Sequence, residues 1–191
     1  MISRPYYILF YTSGVYFSKF NSMIEYFKSP VPDNSPLWIF QSDRELTAPE
    51  KDILSQRLDA FLSSWKSHEA IVTGQAVIFE NRFVLMAGHS AEISGCSKDS
   101  LFQIMKSASQ ELGCSLLTPQ LISYRENGAI KSLERALFSS YVKKGLIGPR
   151  TVVFDVTLTH VRELNEGKFE TQAQNTWMKR FFEITKSANI G

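Results

Sequence analysis

A chain of 191 residues, with 43% hydrophobic and 21% charged side chains, has the composition of one globular domain or two small ones packed together. It is long enough to bury roughly 70% of its unfolded surface, so its core needs neither disulfide nor metal. Its 21 basic and 19 acidic residues leave a net charge of +2, and no run of like charge exceeds a pair such as Lys143-Lys144. That balance gives no footprint for a polyanion, and no nucleic-acid partner is expected.

The first 36 residues are expected to lie outside the core. Arg4 precedes an aromatic stretch, Tyr6 to Tyr11, diluted by Thr12, Ser13 and Ser18 and followed by no small-x-small cleavage pattern. Export is therefore not expected, and a translation start at Met23 is an alternative reading. Residues 29–36 hold three prolines among polar turn-formers and read as a linker. Three regions follow from this: a leader and linker over 1–36, an α+β core over 37–118, and a further segment over 119–191.

Leu37 to Phe40 is a short apolar strand. Thr47 then caps a helix, with Pro49 in its first turn and Glu50 completing a capping box; Ile53, Leu54, Leu58, Phe61, Leu62 and Trp65 recur at helical spacing. Residues 75–80 and 82–89 read as two strands joined tightly at Asn81. Ser97 is expected to cap a second helix, with Asp99 near its dipole and Leu101, Ile104, Met105, Ala108 and Leu112 inward; Gly113 ends it. The order β-α-β-β-α predicts helices on one face of a mainly antiparallel sheet.

Beyond residue 118, Asn127-Gly128 marks a hairpin between 121–125 and 129–131. Ser132 is expected to cap a third helix with Leu133, Leu137 and Tyr141 inward and Gly145 at its end. Residues 151–154 are a β-branched strand, residues 155–176 look polar and irregular, and a last helix carries Trp177, Phe181 and Phe182.

Several chemistries lack their residues. The Gly167-Lys168 pair has Arg162 where a phosphate-binding loop needs its first glycine, and Phe169 follows it. His68-Glu69 has Val72 where a zinc helix needs its second histidine, and no G-x-S-x-G elbow occurs. No metal and no cofactor is expected. Two scattered cysteines, Cys96 and Cys114, suit reduced thiols in a cytoplasm, and no stretch of about 18 apolar residues could span a membrane.

One local cluster remains, Ser94-Gly95-Cys96-Ser97-Lys98-Asp99-Ser100 at a helix start. Free amides there attract anions and lower a thiol pKa. One reading makes Cys96 a nucleophile with His89 as base, and Ser94, Gly95, Ser97 and Ser100 an anion site. The other makes Cys96 the apolar residue before the cap, stapled to Leu101, with Cys114 in the core.

Residues 38–47, Arg82-Phe83, the Ser94-to-Ser97 turn and Trp177 with Arg180-Phe181 resemble a family of small bacterial proteins often labelled "ABC transporter ATPase". The resemblance covers about residues 37–182, and the nucleotide motifs that the label requires are absent. A second resemblance covers about residues 120–154. Asn127-Gly128, Ser132-Leu133-Glu134 and residues 145–154 look like the core of GYF-like adaptor modules. That likeness implies a hairpin, a helix and a strand; some such modules bind proline-rich peptides on an aromatic patch, though the Gly-Tyr-Phe tripeptide is missing here. Residues 30–36 are this chain's own proline segment, which makes docking onto itself conceivable. The expected function is that of a non-catalytic module with a protein or peptide partner. An enzyme or small-anion binder at the Ser94–Ser97 turn is the alternative.

Overall fold

Fifteen short elements follow one another in the computed structural model, which describes residues 26–90 and 93–187. The amino-terminal leader and the Met23 start lie outside the described residues. In chain order the elements are β1 (Leu37–Gln41), α1 (Ala48–Ser64), β2 (Lys66–Ser67), β3 (Ala70–Ile71), β4 (Thr73–Phe79), β5 (Phe83–His89) and α2 (Gly95–Leu112), then β6 (Leu121–Glu126), β7 (Ala129–Glu134), α3 (Arg135–Lys143), β8 (Val152–Phe154), α4 (Val161–Asn165), β9 (Glu170–Gln172), a 3-10 turn (Ala173–Asn175) and α5 (Lys179–Ser187).

The fold is α+β, and its larger ladders are antiparallel. β1, β5 and β4 form one sheet in that order; β7, β6, β8 and β9 form a second. Alternation along each strand sorts side chains to opposite faces. Phe40, Val84 and Met86 point to a core shared with Leu54 and Leu58 of α1 and Leu101, Met105 and Ala108 of α2. Leu37, Phe83 and Leu85 point the other way, to a second core shared with Phe154, Leu164 and Phe169. The far face of the second sheet supplies Ile122, Tyr124 and Val153 to a third core with Phe138, Val142 and Met178. The result is four layers: α1 and α2, the first sheet, the second sheet, then α3 and α5. Helices do cover one face of the first sheet, as its sequence predicts, and the other face is covered by the second sheet.

Local signals explain much of this. The Thr47–Glu50 capping box forms, with Pro in the first turn of α1. The β6–β7 hairpin turns at Asn127 and Gly128, whose φ of 51° and 82° suit the two-residue turn these residues favour. Three expectations are corrected. Ser132 does not start α3: its hydroxyl is held by Ser123 Oγ at 2.8 Å and β7 continues to Glu134. The helical face therefore shifts, burying Phe138 and Val142 and leaving Leu137 45% exposed. Residues 155–176 are ordered rather than irregular, because Leu158, Val161, Leu164 and Phe169 are buried. Residues 32–36 are no free tether. Leu37 and Val161 N–H groups bond Thr159 and Ser35 carbonyls, Arg162 N–H bonds Asp33, and Gly88 N–H bonds Pro36. The proline segment thus docks along α4 and β5.

Candidate functional site

The helix start singled out in the sequence begins three residues earlier than expected. Ser94 is the cap of α2, and its Oγ accepts the Ser97 N–H at 3.3 Å. Asp99 consequently falls beyond the first turn, and Cys96 lies within that turn, exposed, so it makes no staple with buried Leu101. Ile93, just before the cap, packs against the core instead.

The hydroxyls of this turn are already engaged. Ser97 is 3% exposed and its Oγ accepts from Trp65 Nε1 at 2.6 Å. The Ser94 N–H donates to Ser67 Oγ at 2.8 Å, and Ser100 Oγ donates to the Cys96 carbonyl at 3.0 Å. Gly95 has open space around it. His89 is exposed at the end of β5, and no hydrogen bond links it to Cys96. Cys114 is buried. The turn is a fastener: it ties the start of α2 to the indole that ends α1. Among the described residues no three His, Cys, Asp or Glu side chains are grouped to hold a metal ion, and no helix is long and apolar enough to cross a membrane.

A different feature has the shape of a binding site. A groove of about 810 Å³ runs beside β1, the edge strand of the first sheet. One wall is Lys98 and Phe102 of α2 with residues 116–119 of the connector to β6; the other is residues 156–160. Phe102 is 46% exposed and stands edge-on to Phe40, with ring centroids 5.5 Å apart. A large ring left in solvent beside an apolar floor is the surface that a ligand covers.

The backbone of β1 defines the floor. Gly88 N–H bonds the Pro36 carbonyl and Ser42 N–H bonds the Arg82 carbonyl, so the even-numbered residues turn their polar groups towards β5. Leu37, Ile39 and Gln41 therefore turn theirs outward, to the open edge. Leu37 is taken by Thr159, and the Gln41 carbonyl accepts from Thr118 Oγ1 at 2.8 Å. Gln41 locks that end further: its Nε2 donates to the Thr118 and Leu121 carbonyls at 3.1 and 2.8 Å, and its Oε1 accepts from Ser123 Oγ at 3.0 Å. Between these two closures Ile39 stands alone. Among the described residues nothing bonds its outward N–H and C=O.

Among the described residues, the only ionisable side chains lining the groove are Lys98 and His160. Two nearby acids are committed elsewhere. Asp155 accepts from Thr157, and Glu163 accepts from the Thr159 and His160 amides, which holds its carboxyl below the usual range. Of the residues expected to act as nucleophile, base or anion ligand, none lines the groove; Lys98 of the same turn does. Apart from β1 and Phe102, the other lining residues come from loops that carry no motif. Phe102, one position off the buried face of Leu101, Met105 and Ala108, is the signal that the sequence does contain.

Comparison with protein-family models, with curated proteins and with solved structures returns no match to this chain.

Proposed function

We propose that this chain is a non-catalytic binding module whose groove beside β1 takes an extended peptide. One observation carries the reading: an apolar groove is floored by a strand edge with one residue, Ile39, whose N–H and C=O meet no partner among the described residues. The choice of peptide over a purely apolar molecule follows from magnitudes. An alkyl chain seated on Ile39 would strip water from both groups without replacing it, at about 1–3 kcal/mol for each. A peptide unit offers one acceptor and one donor and restores both bonds, as in strand addition to a sheet edge.

The enzyme or anion-binder alternative draws less support. Its hydroxyls are engaged in holding Trp65 and α2, and His89 has no hydrogen bond to Cys96.

Groove competence is tested with a neutral apolar fluorophore, N-phenyl-1-naphthylamine, and the full chain. The native protein is expected to bind one equivalent, and Phe102→Asp to weaken binding about tenfold with an unchanged melting temperature. Absence of stoichiometric binding to the native chain, or indifference to the substitution, defeats the reading.

A further inference from the structure

We infer that the groove recognises a carboxy-terminal peptide end, an apolar tail with its free carboxylate beside Lys98. The inference rests on the groove being the binding surface, and it adds which part of a peptide enters.

The strand edge is blocked on both sides. Thr159 occupies it opposite Leu37, and Leu117 occupies it opposite Gln41 through a parallel bridge. Leu37 and Gln41 lie about 13 Å apart at 3.3 Å per residue. An added strand therefore meets chain within about two residues on either side of Ile39. A ligand strand cannot run on along the sheet; it has to enter from the open side and stop.

The charge decides which end stops there. Among the described residues, Lys98 and His160 line the groove and no carboxylate does. Among the described residues Lys98 makes no ion pair, although Asp99 is its neighbour in the chain. An α-carboxylate complements a free ammonium; an α-amino group would meet repulsion from it. The walls set the side chains. Trp38, Phe102, Leu117 and Val156, all at least partly exposed, offer hydrocarbon, so the last residues of the tail are apolar.

The test uses the full chain and a panel of acetylated pentapeptides whose last three residues are drawn from Val, Leu and Phe. Each is made as the free acid, as the carboxamide, and as a carboxamide with an unblocked amino terminus. Binding is read by calorimetry and by displacement of N-phenyl-1-naphthylamine. At least one free acid is expected to bind about tenfold more tightly than its carboxamide, with a preference that fades as salt is added. Lys98→Met should bring the acid down to the level of its amide, and Lys98→Glu should make the acid bind more weakly than its amide. The Ile39 amide should shift in the ¹H–¹⁵N spectrum on binding. Equal binding of acids and amides overturns the assignment of a carboxylate end and leaves the groove reading standing. Bound fluorophore with no peptide binding overturns the peptide itself. A fluorophore that fails to bind overturns the groove as a whole.

Discussion

Ser97 and Trp65 are 32 positions apart in sequence, yet their bond decides what the Ser94–Ser100 turn is for. The indole is 2% exposed, and its N–H has two acceptors, Ser97 Oγ at 2.6 Å and the Ser97 carbonyl at 3.3 Å. Its six-membered ring lies against Gly74 and Gly88, where an added Cβ would come within 3.0 and 2.7 Å of ring atoms. Phe61 and Trp38 flank it at 5.2 and 5.8 Å. Ser97→Ala leaves the indole N–H only the longer bond, and urea denaturation should show a loss of about 1 kcal/mol. Gly88→Ala forces the ring to move and should cost about 1–3 kcal/mol by overpacking. If either variant unfolds at the wild-type midpoint, the turn is not the fastener described. The thiols give a second check at this scale. Cys96 is exposed and Cys114 buried, so iodoacetamide should modify one cysteine in the native chain and the other only on unfolding. Two quickly modified thiols, or none, contradict this placement.

The elements show why some starts are legible and others are not. The cap of α1 is decided within four residues. Thr47 N–H and Oγ both donate to Glu50 Oε2, at 2.8 and 2.9 Å, and Arg44 pairs with the same carboxylate at 2.7 Å. A rule about neighbours in sequence finds such a cap. The starts of α2 and α3 differ from those their sequence predicts because Ser97 and Ser132, each a good cap by type, are claimed by Trp65 and by Ser123 and Arg82. Those partners come from other elements, which spacing does not reveal. The α1 cap also carries a pH signature. Bonds from Arg44 first, then from Thr47, lower the Glu50 pKa from 4.5 to about 2. A carboxylate depressed in the folded state adds stability above its unfolded pKa and loses it as pH falls through the folded value. Native stability should therefore decline between pH 4.5 and 2, and Glu163, whose pKa is also lowered, should add to the loss as pH falls below 4.5. Glu50→Gln should flatten part of that decline, as read from urea midpoints at several pH values. An identical profile in the variant removes Glu50 from the account.

At the scale of the molecule, the α+β class could be read from the sequence and the four-layer arrangement could not. Phe83 and Leu85 read as ordinary strand residues, and their alternation with Val84 and Met86 shows two buried faces without showing what lies on the second. The answer is Phe154 and Phe169, from segments more than 70 residues further on, with ring centroids 4.7 and 5.3 Å from Phe83. The groove was hidden for the same reason, since its walls come from residues 98–102, 116–119 and 156–160 and meet only when both sheets are stacked. Arg125 ties the layers as well, pairing with Glu80 on the first sheet's hairpin and with Glu170 of β9. Because the Phe83 core belongs to both sheets, neither can open without exposing it, and the described body should unfold as one unit. Native-state hydrogen exchange tests this directly. The slowest amides of β5 and of β6 should report the same opening free energy, and Phe83→Ala should lower both by about 3–5 kcal/mol. If β6 amides keep their wild-type protection while those of β5 lose it, the two sheets are separate folding units. A groove that depends on their stacking would then open and close with the interface between them.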